Sequence, residues 1–436
     1  MKPLDCLMIK VNSNNFPKFK KNKGVSFVID SILSFALIVA INAGIFFPIN
    51  PHWPIPVLLA IPFVRYLVRK DILQNVIFTL TRPWFLGVVG IFCIYRTITG
   101  DLSSFAYLLS SALFLLVISI YISVYSNAFD LLTWQIIIVL AGSCIFFLMR
   151  IIEIPIVEQI YDSIWGIFRS PVPTGFTGSL FQFGYHLTLL IPLTISLTFN
   201  SKKILTKLLA FLFLILGIVS LFESGQRGPA LGIGITLIFV ILPYLNGRNR
   251  IYLVIFSLIC SILFLNYNNL NNSYLASKIL TLGDYEWRLN LQLRAVEALL
   301  TYPQGLFIAN VTWGKIASDL FATGELTAHN SYLVVALYLG WLFALIMIHI
   351  LFFSIRTFVL DLRLNSRKRL YIGNWAHLGL LAGYFALLIN ALFHNPSLFT
   401  LDGTTWIAYC ILWLTHDTEK MRNKYERKVQ GLLIYP

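Results

Sequence analysis

Charge is scarce in this sequence. Only 12% of the 436 residues are charged and 58% are hydrophobic, whereas soluble domains carry about 25% charged residues. This scarcity excludes an ordinary soluble domain, and the mean hydropathy of +0.77 indicates a protein embedded in a membrane. The apolar runs have the length of spanning helices rather than of alternating ten-residue strands. We therefore predict an all-α polytopic membrane protein.

Metal-binding and disulfide patterns are also missing. The five cysteines are scattered, and the chain has no Cys-x-x-Cys and no Cys/His cluster, which excludes a structural zinc site or a disulfide framework. The chain has no Asp-x-Asp sequence either, so nothing indicates a metal that clamps a phosphate group. We predict neither a metal nor a cofactor. The polar residues 1–24 contain no small-residue cleavage site, and we interpret them as a cytoplasmic tail before an uncleaved helix.

The sequence contains many long apolar runs. A spanning helix needs about 20 apolar residues, and by that measure we predict about twelve spans. The second, third and last are short, and residues 72–80 are either an interfacial helix or an extension of the third span. The predicted spans are 25–47, 53–68, 83–98, 105–125, 132–149, 180–199, 204–222, 229–245, 251–267, 331–355, 371–392 and 404–414.

Positive charge is distributed unequally between the two sides of this arrangement. The net charge is +14, and with the N-terminus inside, most of the 33 Lys and Arg fall in cytoplasmic loops and tails, as the positive-inside rule requires. Both termini are therefore predicted to be cytoplasmic. The cations left on the other side are Arg96, Arg150, Arg169, Arg227, Lys278, Arg288, Arg294 and Lys315.

The same topology places two long segments outside, residues 150–179 and a large loop between spans 9 and 10. Within the loop, residues 285–301 are predicted to form an amphipathic helix, which lies on the membrane surface or caps the bundle. Its stripe consists of Leu289, Leu293, Val296 and Leu300, at helical spacing. The predicted organisation is a basic tail (1–24), nine spans (25–266), the large periplasmic loop (267–330), three spans (331–415) and a second basic tail (416–436).

The outward cations are informative because the positive-inside rule does not explain them. Arg227 lies in a turn between two spans that contains Gly225, Gly228 and Pro229. Irregular backbone at the membrane is tolerated where it is buried in protein or lines a cavity, and an arginine there needs an anionic partner. That partner is either Glu223, four residues earlier, or an anionic ligand.

Two further positions complete a candidate pocket. Arg288 and Arg294, at the start of the loop helix, are either solvated surface charges or ligand contacts. His329, where the loop re-enters the bilayer, is either structural or a general base. Because arginine binds phosphate with paired hydrogen bonds, these residues predict an outward-facing site for a lipid-linked phosphate or diphosphate. His394-Asn395-Pro396 is interpreted as a helix stop.

In three stretches the chain resembles the O-antigen ligase and O-antigen polymerase superfamily of bacterial membrane glycosyltransferases. Residues 224–230 resemble its Ser-x-x-Arg-Gly turn. Arg288 followed by Pro303 and Gly305 resembles its outer-loop helix and the Pro-x-Gly that ends it. Residues 329–333 followed by Gly340 resemble its His-Asn-x-Tyr-Leu stretch. The chain departs from the pattern at Gln292, where the family usually has tryptophan.

The resemblance implies a reaction and assigns residues to it. A glycan would move from an undecaprenyl-diphosphate carrier to a sugar hydroxyl at the periplasmic face of the inner membrane, without metal or cofactor. Arg227 and Arg288 would hold the diphosphate, and His329 would orient or deprotonate the acceptor. The further substrate-binding candidates are Arg169, Arg294 and Tyr332.

Several alternatives stay open. A polymerase joins carrier-linked repeat units in O-antigen or exopolysaccharide synthesis, whereas a ligase moves the finished chain to the lipid A-core of lipopolysaccharide. We favour the polymerase slightly, because nothing in the sequence marks a lipid A-core site. Outside this class, the chain could be a transporter or flippase of lipid-linked sugars, or a non-catalytic membrane subunit of a polysaccharide assembly. The expected partners are the lipid-linked donor, the acceptor and the bilayer, with no nucleic acid.

Overall fold

The computed structural model describes residues 24–42, 54–100, 105–125, 128–165, 173–175, 177, 179–201, 203–245, 247–270, 283–317, 330–368, 374–394 and 397–433. Every regular element that these residues form is helical, as predicted. The helices of the first half are α1 (Val25–Asn42), α2 (Pro54–Ala60), α3 (Lys70–Leu80), α4 (Pro83–Ile98), α5 (Phe105–Val124), α6 (Ala128–Ile151), α7 (Pro155–Trp165), α8 (Leu180–Asn200) and α9 (Ile204–Ser224). Those of the second half are α10 (Arg227–Thr236), α11 (Gly247–Leu270), α12 (Gly283–Thr301), α13 (Leu306–Ala309), α14 (Trp313–Ile316), α15 (Ser331–Leu339), α16 (Trp341–Lys368), α17 (Asn374–Asn390) and α18 (Gly403–Leu433).

Several of these helices are long and apolar enough to cross a membrane. Among the described residues there are six, and α3 with α4, which meet at a bend of 53°, make a seventh if counted as one broken span. Three shorter apolar helices accompany them, Ile55–Tyr66, Leu108–Val124 and Trp375–Asn390. The protein is therefore a helical membrane protein, and the count of twelve spans stays a prediction. The six are Val25–Asn42, Ala128–Ile151, Leu180–Phe199, Ile204–Ser224, Arg227–Tyr244 and Trp341–Arg363.

The bundle has two ends that carry different residues. At one end, Asn42 closes α1 and its side chain accepts a hydrogen bond of 3.0 Å from Thr404 at the start of α18. At the other end, Arg82 donates from Nε to the Asp417 carboxylate over 3.0 Å. We call the first the loop end, because the α9–α10 turn, α12 and the end of α17 also lie there. Arg82 belongs to the cations that the topology places in the cytoplasm, and the orientation itself stays a prediction.

Close packing of α8, α10 and α17 brings three helix termini together at the loop end. A Cβ on Gly383 of α17 would lie 2.4 Å from the Leu189 side chain of α8. A Cβ on Gly232 of α10 would lie 2.7 Å from the Ala386 carbonyl of α17. Glycine therefore lets these backbones approach closely, as small residues do between membrane helices.

The predicted tenth span, residues 331–355, is not continuous in the structure. It consists of α15 and α16, which are separated at Gly340, where φ is +86°. The Trp341 N–H would bond to residue 337 in an unbroken helix, but it donates to the Pro303 carbonyl over 2.9 Å. Contact with the end of the large loop therefore breaks the span.

A helix is present where the loop helix was predicted, since α12 covers Gly283–Thr301 and ends before the predicted Tyr302–Gly305 corner, and its place in an outer loop stays a prediction. The face that packs against α15 differs from the stripe that the sequence indicated. Leu289, Leu293, Val296 and Leu300 are all exposed. The buried face is offset from that stripe and consists of Leu291, Ala295, Ala298 and Leu299.

Candidate functional site

The turn that carries Arg227 joins α9 to α10 at the loop end. Gly225 ends α9 with φ of +64°, a left-handed conformation that glycine adopts without strain. Arg227 is the first residue of α10 and is half-buried. Gln226 occupies the N-cap position, but its side chain donates to the Leu180 carbonyl and does not cap α10. The predicted breaker-rich turn between two spans is thus confirmed.

Residues 390–394, which we call the α17 turn, lie against the start of α10. A Cβ on Gly228 would lie 2.6 Å from Asn390 Oδ1 and 3.1 Å from His394 Nε2. Both side chains are buried, and the His394 ring packs against Phe181 with ring centroids 4.8 Å apart. The α17 turn and the Arg227 turn therefore form one packed unit, with glycine at the point of contact.

The start of α15 is hydrogen-bonded to the α17 turn. The Ser331 N–H donates to the Ala391 carbonyl over 3.1 Å and to the His394 carbonyl over 3.0 Å. Asn330 caps α15, because its Oδ1 accepts from the N–H groups of Tyr332 and Leu333, each at 3.1 Å. His329 precedes Asn330 directly in the sequence and lies outside the described residues.

The loop helix reaches the α17 turn as well. The Gln292 side chain donates from Nε2 to the Leu392 carbonyl over 3.2 Å. Arg288 lies one helical turn earlier in α12, and its side chain is outside the described part of the chain. The three stretches that resemble the glycosyltransferase superfamily thus meet at one place, although they are separated by about a hundred residues in sequence.

The sequence analysis missed the centre of this arrangement. His394 was interpreted as part of a helix stop, and Asn390 was not singled out. The available signal was a pair of polar side chains four residues apart, where an otherwise apolar run ends.

The secondary candidates lie in different surroundings. Arg294 is exposed and forms an ion pair of 3.1 Å with Glu297, three residues later. The Tyr332 hydroxyl donates to the Leu388 carbonyl over 3.1 Å and so ties α15 to α17. Arg169 lies outside the described residues. The structure therefore brings Arg227 and the start of α15 together and leaves Arg294 on the surface.

Arg150, another of the outward cations, has a structural environment. Its side chain is 2% exposed, and Nε donates to Glu158 Oε1 over 2.8 Å. The guanidinium lies 3.6 Å from the centre of the Tyr161 ring, and Nη1 donates to Thr174 over 3.1 Å. The residue links α6, α7 and the segment that follows α7.

Asp402 is a partly buried carboxyl group at the loop end. Its Oδ2 accepts from the Thr405 N–H over 2.9 Å and from the Thr405 hydroxyl over 2.7 Å, which caps α18. Burial raises the pKa of the Asp402 carboxyl to about 6, although the hydrogen bonds from Thr405 favour its charged form. The group therefore titrates close to neutral pH.

An apolar groove of about 410 Å³ lies between α6 and α9. Its walls include Leu148 of α6, Ile152 directly after α6, and Leu216 and Val219 of α9, and it extends to Glu223. Glu223 is four residues before Arg227, so the groove ends near the turn that starts α10.

The described residues include no group of three or more His, Cys, Asp or Glu side chains arranged to hold a metal ion. No protein-family model matches the chain, and no curated protein matches its sequence.

Proposed function

We propose that the protein is a membrane glycosyltransferase of the O-antigen ligase and polymerase type. It transfers a glycan from an undecaprenyl-diphosphate carrier to a sugar hydroxyl at the periplasmic face of a bacterial inner membrane. One observation carries the proposal: the α17 turn contacts the Arg227 turn through Gly228, the start of α15 through Ser331, and α12 through Gln292. These are the three stretches whose residues the reaction needs.

The residues divide the chemistry between them. The bond between the anomeric carbon and the phosphate oxygen breaks, and its electron pair stays on the diphosphate. Arg227 and Arg288 hold the diphosphate and stabilise that negative charge. His329 accepts the proton of the acceptor hydroxyl as its oxygen bonds to the anomeric carbon. The products are the lengthened glycan and undecaprenyl diphosphate.

The groove between α6 and α9 supports a lipid-linked donor. It is apolar along its walls and ends at Glu223, near Arg227. A polyprenyl chain lying in it would bring the attached diphosphate to the start of α10, where the arginine is. The tail would stay in the bilayer and the head would be outside, as the predicted topology with both termini in the cytoplasm requires.

The experiment is complementation of a strain that lacks this gene. Wild type, Arg227→Ala and His329→Ala are expressed at matched membrane levels, with Arg69→Ala as the control because Arg69 is an exposed arginine paired with Asp71. Glycans are then separated by length and by the lipid that carries them. We expect Arg227→Ala and His329→Ala to lose assembly and Arg69→Ala to restore it.

The pattern of the failed strains also identifies the acceptor. Single repeat units on lipid A-core would indicate a lost polymerase, the activity that we favour, and long chains stranded on the carrier would indicate a lost ligase. Wild-type glycans from both Arg227→Ala and His329→Ala would refute the proposal and favour a transporter or a non-catalytic subunit.

A further inference from the structure

Asn390 is a buried amide at the end of α17. The residue is 0% exposed, and among the described residues neither Nδ2 nor Oδ1 has a hydrogen-bond partner. Burying an unpaired amide is unfavourable, because the group gives up its hydrogen bonds to water. An orphaned group in a native site therefore needs an explanation, and a ligand is one of the accepted explanations.

The amide lies against the first turn of α10. Its Oδ1 is 2.6 Å from the point that a Cβ on Gly228 would occupy, and Gly228 is the second residue of this ten-residue helix. The first N–H groups of a helix have no partner within the helix and favour an anion. The side chain of Gln226 does not cap them. The Asn390 amide and the first backbone N–H groups of α10 therefore lie together, in the helix turn that begins with Arg227.

A second buried group lies close to the first. The Ser331 side chain is 0% exposed, and its Oγ has no hydrogen-bond partner among the described residues. Its backbone N–H bonds to the Ala391 carbonyl, which belongs to the residue directly after Asn390. Two buried polar side chains without a partner among the described residues thus lie at the α17 turn, and Asn390 is the one that faces the start of α10.

We propose that Asn390 and the first N–H groups of α10 bind a phosphate group of the lipid-linked diphosphate. This inference rests on the proposed function. It adds uncharged hydrogen-bond donors to a diphosphate site for which the sequence motifs supply only arginines. The amide donates Nδ2–H to a phosphate oxygen, and α10 directs its positive end at the same group. Gly228 is required because a side chain there would displace Asn390.

The test measures binding of defined probes to the purified full-length protein in lipid nanodiscs. The probes are undecaprenyl diphosphate, undecaprenyl monophosphate and inorganic pyrophosphate. We expect Asn390→Ala to weaken undecaprenyl diphosphate binding about tenfold, the usual effect of losing a hydrogen bond to a charged group. Asn390→Asp has the same shape as the wild type, and we expect it to weaken binding further, because its charge repels the phosphate.

The control is Thr236→Val. Thr236 is a buried polar residue in the same helix, whose hydroxyl also has no partner among the described residues. It lies about 13 Å along the axis from the start of α10. We expect wild-type binding from this variant. Thermal unfolding of every variant shows whether a loss of binding reflects a loss of fold, and Asn390→Asp remains informative if Asn390→Ala is unstable.

The outcomes separate this inference from the function on which it rests. If wild type binds none of the three probes, the proposed donor site is wrong. If wild type binds undecaprenyl diphosphate and Arg227→Ala weakens it, but folded Asn390→Asp binds like wild type, only the role of Asn390 is refuted. Equal binding of pyrophosphate and undecaprenyl diphosphate would support the anion site and assign recognition to the phosphate groups rather than to the lipid.

Discussion

Gly305 and Gly340 lie against each other, backbone to backbone, at the junction of the large loop with the bundle. A Cβ on Gly305 would be 2.7 Å from the Gly340 nitrogen, and a Cβ on Gly340 would be 2.6 Å from the Pro303 carbonyl oxygen. Both residues have positive φ, +92° and +86°. The Pro-x-Gly that follows the loop helix and the glycine that follows the histidine stretch therefore form one contact, which fixes α12 relative to α15.

We expect Gly340→Ala to lower both stability and activity. The new methyl group would meet backbone atoms that cannot move aside, and positive φ is unfavourable for alanine. The free energy of unfolding should fall by about 2 kcal/mol or more, and glycan assembly should fall as α12 shifts. Thermal unfolding in detergent and complementation measure the two effects.

The control for this prediction is Gly100→Ala. Gly100 has φ of +71°, but a Cβ there would meet no atom of the described residues within 4 Å. The Gly100→Ala variant therefore measures the destabilisation caused by positive φ alone, without the steric contact that Gly340→Ala adds. If Gly340→Ala is no more harmful than Gly100→Ala, the contact between the two glycines has no role in positioning the loop helix.

Local features of the fold were predictable from the sequence. The turn at Arg227 follows from Gly225, Gly228 and Pro229, and α12 follows from the spacing of its leucines. Both patterns operate over a few residues, so no knowledge of the partners is needed. The Asn330 cap of α15 belongs to the same class, since an asparagine before an apolar run is a common N-cap.

Contacts between distant segments were not predictable in this way. The break at Gly340 depends on the Pro303 carbonyl, which is 37 residues away and replaces the helical partner of Trp341. From the sequence, the α17 turn could be interpreted only as a helix end, because it is the folded bundle that places Gly228 against Asn390 and His394. The face of α12 that packs against α15 was not predicted either, since periodicity finds an apolar stripe without showing whether protein or the membrane surface covers it.

A pair of glycine substitutions in α10 tests the packed unit at the site. We expect Gly228→Ala to abolish activity, because its methyl group would collide with Asn390 and His394. In Gly234→Ala, in the same helix, the new Cβ has no neighbour within 4 Å in the part of the chain that the structure describes, and this variant should keep activity and gain about 0.5–1 kcal/mol of stability. Complementation and thermal unfolding distinguish the two. Equal activity from both variants would show that the contact at Gly228 is dispensable.

Substitution of Arg150 should lower stability, whereas substitution of Arg227 should lower donor binding. Arg150→Ala leaves Glu158 without its buried partner and removes the stacking on Tyr161, so we expect a loss of about 3 kcal/mol in stability. Arg150→Lys should recover only part of this, because lysine lacks the planar guanidinium. Arg227→Ala should keep its unfolding temperature and lose donor binding. If Arg150→Ala protein unfolds like wild type but loses donor binding, Arg150 belongs to the site and its structural role is wrong.

Asp402 should make stability depend on pH. Burial raises its pKa to about 6 from an ordinary 3.8, so between these values the folded state keeps a proton that the unfolded state releases. Stability from this group is therefore fully present below about pH 4 and is lost as pH rises to about 6. The loss is at most about 3 kcal/mol, and less because the carboxyl is partly exposed.

Asp402→Asn should remove this dependence, since asparagine has no proton to exchange and its Oδ1 can still accept from the Thr405 N–H. The measurement is the difference in unfolding temperature between wild type and Asp402→Asn, from pH 4 to pH 7.5 in one detergent. We expect the unfolding temperature of the wild type to fall relative to that of Asp402→Asn from pH 4 to about pH 6. Above pH 6 the difference should stay constant. Taking the difference cancels the titration of all other groups, so a flat curve would show that the folded protein does not raise the pKa of Asp402.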